Sequence, residues 1–161
     1  MGTIAEYLRN DHNRCEKLFT ELEICVNAGL WDRADTVFQQ FRDALEKHFE
    51  MEEKVLFDAI ENMSEGGEPT SILRNEHQQI RSIVAMLEYA LTRRTRNAFL
   101  GHSDTLYIMI HRHNAIEEST LYQMTDHILF EQKQAIVEAM NKIRLETSSS
   151  GEVSAAQPSI A

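Results

Sequence analysis

The chain is 161 residues long, 42% hydrophobic, with a formal net charge of −10. This length and apolar content predict one globular domain able to bury a real core. The acidic balance excludes the basic face that nucleic acid or an anionic membrane surface demands, and no apolar run is long enough to span a bilayer.

Only two prolines and six glycines interrupt the chain, a composition that suits long helices. Thr3 can cap a first helix, along which Ile4, Leu8, Cys15, Phe19, Leu22 and Val26 recur at helical spacing. His12 falls inside that stripe, and Asn27-Ala28-Gly29 ends the helix. Cys15 and Cys25 lie on this one helix, about 15 Å apart along its axis, too far for a disulfide. Free thiols, with no signal-peptide pattern in residues 1–14, point to a reducing cytoplasm.

A second helix is expected from Trp31 or Asp32 to Asn62, where Ala34, Phe38, Phe41 and Leu45 lead into His48, Glu52 and Leu56. Met63 to Pro69 reads as a loop. A third helix starts at Thr70 or Ser71, carries Leu73, His77, Ile80, Val84, Leu87 and Leu91, and ends at the basic cluster Arg93-Arg94-Thr95-Arg96. A fourth runs to about Met124 with Leu106, Ile110, His113, Glu117 and Leu121 on its apolar face. A shorter fifth, Leu129 to Leu145, is amphipathic through Ala135, Ile136, Ala139, Met140 and Ile143. The fold class is therefore all-α: an antiparallel up-down-up-down four-helix bundle with a short C-terminal fifth helix over residues 1–146. The Ser, Ala and Gly of residues 147–161 predict a disordered tail.

Two segments organise this bundle. His48-Phe49-Glu50-Met51-Glu52-Glu53-Lys54-Val55-Leu56-Phe57 is echoed by His113-Asn114-Ala115-Ile116-Glu117-Glu118-Ser119-Thr120-Leu121-Tyr122. Each opens with His, places a doubled Glu four residues on, and closes with Leu and an aromatic. Positions i and i+4 share a helix face one turn apart, so imidazole and carboxylate can reach one metal ion or metal pair. Leu8-Arg9-Asn10-Asp11-His12-Asn13 likewise resembles Leu73-Arg74-Asn75-Glu76-His77-Gln78. His12 and His77, His48 and His113, and Glu52 and Glu117 are each separated by 65 residues. The chain thus reads as two helix hairpins related by a pseudo-twofold axis. Each gives one His from its first helix and a His plus Glu from its second. Six such groups inside apolar stripes are costly to bury unless paired or bound to metal, and together they are hard to satisfy without a cation. His12 to Glu16 and His127 to Glu131 also fit the spacing but lack the doubled Glu, so Glu16 and Glu131 read as solvated.

Four imidazoles, two carboxylates and no thiolate suit borderline first-row ions. If both carboxylates bridge, each ion receives two His and two carboxylate oxygens. An octahedral ion then keeps one position for a bridging oxide or hydroxide and one for a small ligand, which is chemistry for iron; a structural zinc site would fill four positions and stop. The ferritin-like alternative uses Glu-x-x-His, and none of the seven His has a Glu three residues before it.

The order His, His-x-x-x-Glu, His, His-x-x-x-Glu resembles the hemerythrin-like (HHE cation-binding) family over roughly residues 3 to 145. The resemblance implies an antiparallel four-helix bundle around two non-haem irons. Its ligands would be His12, His48, Glu52, His77, His113 and Glu117, with Glu52 and Glu117 as bridges. Oxygen-carrying hemerythrins place a second His one turn after the third-helix His, where this chain has Arg81, and end with an Asp bridge where this chain has Glu117. The pattern is closer to bacterial hemerythrin-like proteins and to the C-terminal domain of iron–sulfur repair proteins.

The expected function is that of a cytoplasmic di-iron protein reacting with peroxide, dioxygen or nitric oxide, as a redox enzyme with a possible redox partner. Reversible dioxygen binding or sensing, and iron storage or donation, are the alternatives. His102, His111 and His127 read as surface residues, His111 lying about 200° round the helix from His113. Asp11 and Glu76, each preceding a ligand His, read as solvated first and as hydrogen-bond partners of a ligand imidazole second. Glu53 and Glu118 rank behind Glu52 and Glu117, as alternative ligands or hydrogen-bond partners of ligands. Phe49, Phe57 and Tyr122 are expected to pack around the site.

Overall fold

The computed structural model describes residues 2–63 and 68–146; the expected tail and loop positions 64–67 fall outside the described residues. Among the described residues the chain is helical throughout, with no strand. The helices are α1 (Ile4–Asn27), α2 (Trp31–Met51), α3 (Phe57–Met63), α4 (Glu68–Thr92), α5 (Arg96–Ile116), α6 (Tyr122–Ile128) and α7 (Lys133–Leu145). Two π turns, Glu52–Leu56 and Glu117–Leu121, carry α2 into α3 and α5 into α6 without a break. The expected second and fourth helices are therefore continuous rods with one widened turn each, the latter reaching Ile128 rather than Met124. A 3-10 turn, Phe130–Gln132, precedes α7, on which Ala135 is exposed while Ile136 and Met140 are buried.

The ends of these rods follow from sequence. Thr3 caps α1 in a reciprocal box: its hydroxyl accepts the Glu6 N–H at 3.0 Å, and the Glu6 carboxylate accepts the Thr3 N–H at 2.9 Å. Asp126 accepts the Ile4 N–H at 2.9 Å and so ties the start of α1 to α6. Gly29, with φ of 71°, closes α1 in the left-handed conformation that glycine adopts without a Cβ penalty.

α1 packs along α2 and α4 along α5, with further contacts of α1 to α5 and α2 to α4. α7 packs on α2, the first π turn and α1. Two apolar cores result. One holds Phe19, Phe38, Phe41, Ile80, Phe99 and Leu106. The other holds Leu8, Met51, Phe57, Leu73, Leu121 and Met140. Each fully buried Leu or Phe contributes about 1.5–3 kcal/mol, which the fold sets against the several kcal/mol that each buried, uncompensated ion costs. Along α1, the α2 rod, α4 and the α5 rod, the polar residues of interest fall between one core and the other.

Candidate metal centre

The six residues singled out by the repeat converge there. His12, His48, His77, His113, Glu52 and Glu117 are all buried. Their ligand atoms form two groups that share both glutamates: His12, His48, Glu52 and Glu117, and Glu52, His77, His113 and Glu117. Each glutamate opens a π turn, in which the Phe57 N–H reaches the Glu52 carbonyl and the Tyr122 N–H that of Glu117. A π turn brings residue i+5 over residue i, and this sets Tyr122 one turn beyond Glu117 on the inward face. Its hydroxyl lies 2.5 Å from Glu52, 3.0 Å from Glu117 and 3.0 Å from His12 Nε2. Such turns concentrate at functional sites.

Every imidazole is held from outside by a carboxylate. Nδ1 of His12 lies 2.8 Å from Glu118, that of His48 2.9 Å from Asp11, that of His77 2.8 Å from Glu53, and that of His113 2.7 Å from Glu76. The partners obey the same 65-residue offset as the ligands. Asp11 and Glu76 are therefore not solvated bystanders: a neighbour of a ligand on one helix grips the ligand of the adjacent helix. Asp11, buried itself, is further held by Arg14 at 2.9 Å. Glu53 and Glu118 take the hydrogen-bonding role. Tyr122 is more than a core aromatic, and the signal for it was the aromatic that closes both repeated segments. Phe49 and Phe57 do pack as expected, stacked on His77 with ring centroids 3.9 and 5.6 Å away. Glu16, Glu131, His111 and His127 are exposed and His102 is half-buried, all outside the cluster.

The hydrogen bonding inside the cluster shows what would fit it. An ionised carboxylate only accepts, so each Nδ1 donates, and each neutral imidazole presents Nε2 inward as a lone pair. Those lone pairs face carboxylate oxygens: His12 to Glu117 at 3.2 Å, His48 to Glu52 at 3.4 Å, His77 to Glu52 at 3.2 Å and His113 to Glu117 at 3.0 Å. The Nε2 atoms of His77 and His113 stand 3.1 Å apart. His48 Nε2, Glu52 Oε2 and Glu117 Oε1 are buried without a hydrogen-bond partner. With the imidazoles neutral this is a ring of acceptors facing one another, which metal cations satisfy; with no cation bound, protons on the imidazoles answer the same carboxylates.

Titration follows the same field. Burial alone would lower His113, but Glu117, Glu52 and Glu76 hold it up at about 9. Burial opposes charge on His48 and His77 too, and their carboxylate partners raise both. Burial would raise Glu52, yet His48 and His77 keep it well below the usual carboxylate range. Burial would also raise Glu53, which hydrogen bonds from His77 and Arg81 hold down at about 2. Tyr122 is pushed well above its ordinary value by burial and by Glu117 and Glu52, so its hydroxyl keeps its proton.

Helices and cluster together define a helical protein with a buried His/Glu site suited to metal cations. Residues 3–125 match the hemerythrin HHE cation-binding domain, and the chain belongs to that family. No curated protein and no solved structure matches the chain. Among the described residues, no helix is long and apolar enough to cross a membrane.

Proposed function

We propose that the chain is a cytoplasmic, non-haem di-iron protein that turns over a small oxidant or diatomic: peroxide, dioxygen or nitric oxide. In this reading residues 1–146 form an up-down-up-down bundle with a short fifth helix. The order of the cores supports that topology. α1 and α4 run from the Leu8 and Leu73 core into the Phe19 and Ile80 core, while α2 and α5 start in the latter and lead to Met51 and Leu121 in the former. His12 and His48 would hold one ion and His77 and His113 the other, with Glu52 and Glu117 shared. Imidazoles and carboxylates without thiolate suit borderline first-row ions, and the positions that a bridged octahedral pair would leave for a small ligand favour iron among them. When bound, the pair supplies redox chemistry and open coordination positions for a small molecule.

The observation that carries this reading is the inward ring of four Nε2 atoms and two carboxylates. The chain's own residues then set how the site behaves. Asp11, Glu53, Glu76 and Glu118 keep each Nδ1 proton on the outer side of its ring, which orients the imidazole and raises its basicity. Phe49, Phe57 and Leu56 exclude water. Tyr122 holds a proton on its hydroxyl, inside the cluster and shared towards Glu52. A hydroxyl held there can donate a hydrogen bond to a small molecule bound beside it, while Glu76 and Glu118, half-buried behind His113 and His12, lie where they can relay a proton to it, which speeds its release or cleavage and favours turnover over storage. A redox partner would supply electrons.

Anaerobic reconstitution with ferrous iron tests the reading. Elemental analysis should give two irons per chain. Air should then change the optical spectrum once, with no return under argon. The oxidised protein should break down added peroxide or, after reduction, bind nitric oxide. A spectrum that cycles reversibly between oxygen and argon would instead make the protein a carrier. One tightly held zinc without iron uptake would remove the di-iron reading.

A further inference from the structure

The 65-residue offset also relates the outer surfaces of the two hairpins, and there one is covered and the other is not. On the first hairpin α7 uses three positions. The Tyr7 hydroxyl bonds Asn141 at 3.4 Å, with the Arg144 guanidinium over its ring at 6.0 Å. Lys47 donates to the Arg144 carbonyl at 3.3 Å, and Met51 shares a core with Ile136 and Met140. The counterparts of Tyr7, Lys47 and Met51 on the second hairpin are Ile72, Arg112 and Ile116. Each keeps the character of its equivalent: apolar, basic, apolar. Yet Met51 is fully buried, whereas Ile72 and Ile116 are 61% and 40% exposed and Arg112 is exposed with them.

The surface around these three is unlike the rest of an acidic chain. The sequence has 26 Asp and Glu, but none of the exposed residues between 71 and 92 on α4 is charged, Met86 and Tyr89 included. On α5, Gly101, Asp104, Ile108 and Ala115 lie opposite the buried Leu106, within about 40° of the outward direction, and Arg112 lies beside them. All five are exposed, Ile108 at 66%. The equivalent line on α2 is Thr36, Gln39, Asp43 and Glu50, polar throughout. A helix that is apolar on more than one face is normally covered on each; α5 buries Phe99 and Leu106 inward and leaves Ile108 and Ile116 outside. Asp104 and Arg112 have no ion-pair partner among the described residues. His111, towards α1, is already held by Glu16 at 3.4 Å.

We propose that this face of α5 and α4 docks a second copy of the chain, in a twofold dimer whose α5 helices run antiparallel and meet at Ile108. The outward residues of α5 are self-complementary about that point. Asp104 and Arg112 stand four residues to either side of Ile108, and Gly101 and Ala115 seven residues to either side. On a twofold axis through Ile108 each Asp104 meets Arg112 of the second copy, as an isologous contact requires. Gly101 meets Ala115 of the second copy, and two such small residues let the helices approach closely. A parallel pair would set Asp104 against Asp104 and Arg112 against Arg112, which like charge disfavours. Two chains of net charge −10 repel, and here they can meet with every facing charge paired. One helix alone falls short of the about 800 Å² per partner of a stable interface; the uncharged row of α4 widens it. His113 and Glu117 are buried on the inner side of α5, so the contact is independent of what the cluster binds.

Sedimentation equilibrium of the full chain, with and without iron, tests this. At about 100 µM, above the micromolar or tighter constants of standard interfaces, the mass should be twice the 18.6 kDa of one chain. Ile108→Glu should weaken association at least about thirtyfold, with the melting temperature of dilute protein unchanged. Asp104→Arg alone and Arg112→Asp alone each oppose like charges and should give monomer, and the two combined should restore the dimer. Ile108→Cys should link two chains by a disulfide under mild oxidation, because the native Cys15 and Cys25 are buried; Thr36→Cys, at the counterpart of Gly101, should not. A monomer at every concentration would overturn the proposal, whatever else binds this face. So would a dimer that Ile108→Glu leaves intact, or a double exchange no better than either single one. If Ile108→Glu does not fold, the charge exchange still decides.

Discussion

In the first hairpin, α1 with the α2 rod, the carboxylate behind His48 is Asp11, buried and bonded to Arg14, and α7 lies across the hairpin. In the second, α4 with the α5 rod, the carboxylate behind His113 is Glu76, partly open to solvent. Phe57 of the first π-turn segment is answered by Tyr122 of the second, and only the latter carries a hydroxyl into the cluster. Ligands, Nδ1 partners and π turns are all kept at one offset, while what covers them is not. That contrast separates two kinds of constraint. Positions whose geometry a metal pair would dictate are duplicated. Positions that set access, proton supply and solvent exposure have diverged, and the two halves of the centre are thereby made chemically unequal.

The strongest way to break the comparison is to remove a duplicated position. Glu52→Ala and Glu117→Ala should each drop iron below one ion per chain after dialysis against a chelator, because each removes the carboxylate shared by both ligand groups. Glu53→Ala and Glu118→Ala remove an Nδ1 partner, together with its contact to Arg81 or Arg9, but no shared ligand, and should weaken retention by about 10–100-fold. Equal iron content in all four variants would refute the division between ligand and partner.

How much of this was legible differs by residue. The six cluster residues could be read because a His or Glu in an apolar stripe is conspicuous, and because one offset related all three pairs. The roles of Asp11 and Glu76 could be read only as the second choice. Each sits one residue before a ligand, about 100° off the ligand line of a straight helix, where solvent is the natural expectation. Only the packing of α1 on α2 and of α4 on α5 shows that this direction meets the neighbouring helix. The π turns were hidden because each leads into two adjacent buried residues, Leu56-Phe57 and Leu121-Tyr122, so the stripe continues even though an extra residue rotates the helix by about 100°. The inward hydroxyl of Tyr122 follows from its π turn and was hidden with it. The helices themselves were plain apart from their ends.

A smaller effect sharpens the difference in exposure. The Asp11 carboxylate is fully enclosed, whereas the Glu76 side chain is 23% exposed. Water can replace a lost hydrogen-bond acceptor at an open position but not at a closed one, where an unsatisfied donor costs about 1–3 kcal/mol. Asp11→Ala should therefore lower iron affinity nearer the top of the about 10–100-fold range for such partners, and Glu76→Ala nearer the bottom. Competition with a coloured chelator measures both, with the apo melting temperature as a control on folding. Equal losses would mean that burial does not distinguish the two halves.

The smallest effect lies in the turns, where the repeat also holds. Gly29 and Arg94 are 65 residues apart, and both adopt positive φ, 71° and 55°. Their hydrogen bonds correspond: Leu30 N–H to the Cys25 carbonyl at 2.9 Å and Gly29 N–H to Val26 at 3.1 Å, against Thr95 N–H to Ala90 and Arg94 N–H to Leu91, both at 3.0 Å. Arg94 accepts the left-handed strain while its guanidinium pairs with Asp35 at 2.6 and 2.7 Å and covers the Trp31 ring at 5.5 Å. A Cβ at Gly29 would meet nothing within 4 Å, so the cost of Gly29→Ala is wholly conformational, about 1 kcal/mol. In a chain of this size that lowers the melting midpoint by about 2–4 °C. Arg94→Gly relieves the same strain but loses the Asp35 and Trp31 contacts, and the two changes oppose each other, so its midpoint should move less. In an Asp35→Ala background one of those contacts is already gone. There Arg94→Gly should raise the midpoint relative to Asp35→Ala alone, by thermal melts of the apo protein. If it lowers the midpoint instead, the arginine does more for this turn than its carboxylate partner accounts for, and the two turns are alike in backbone only.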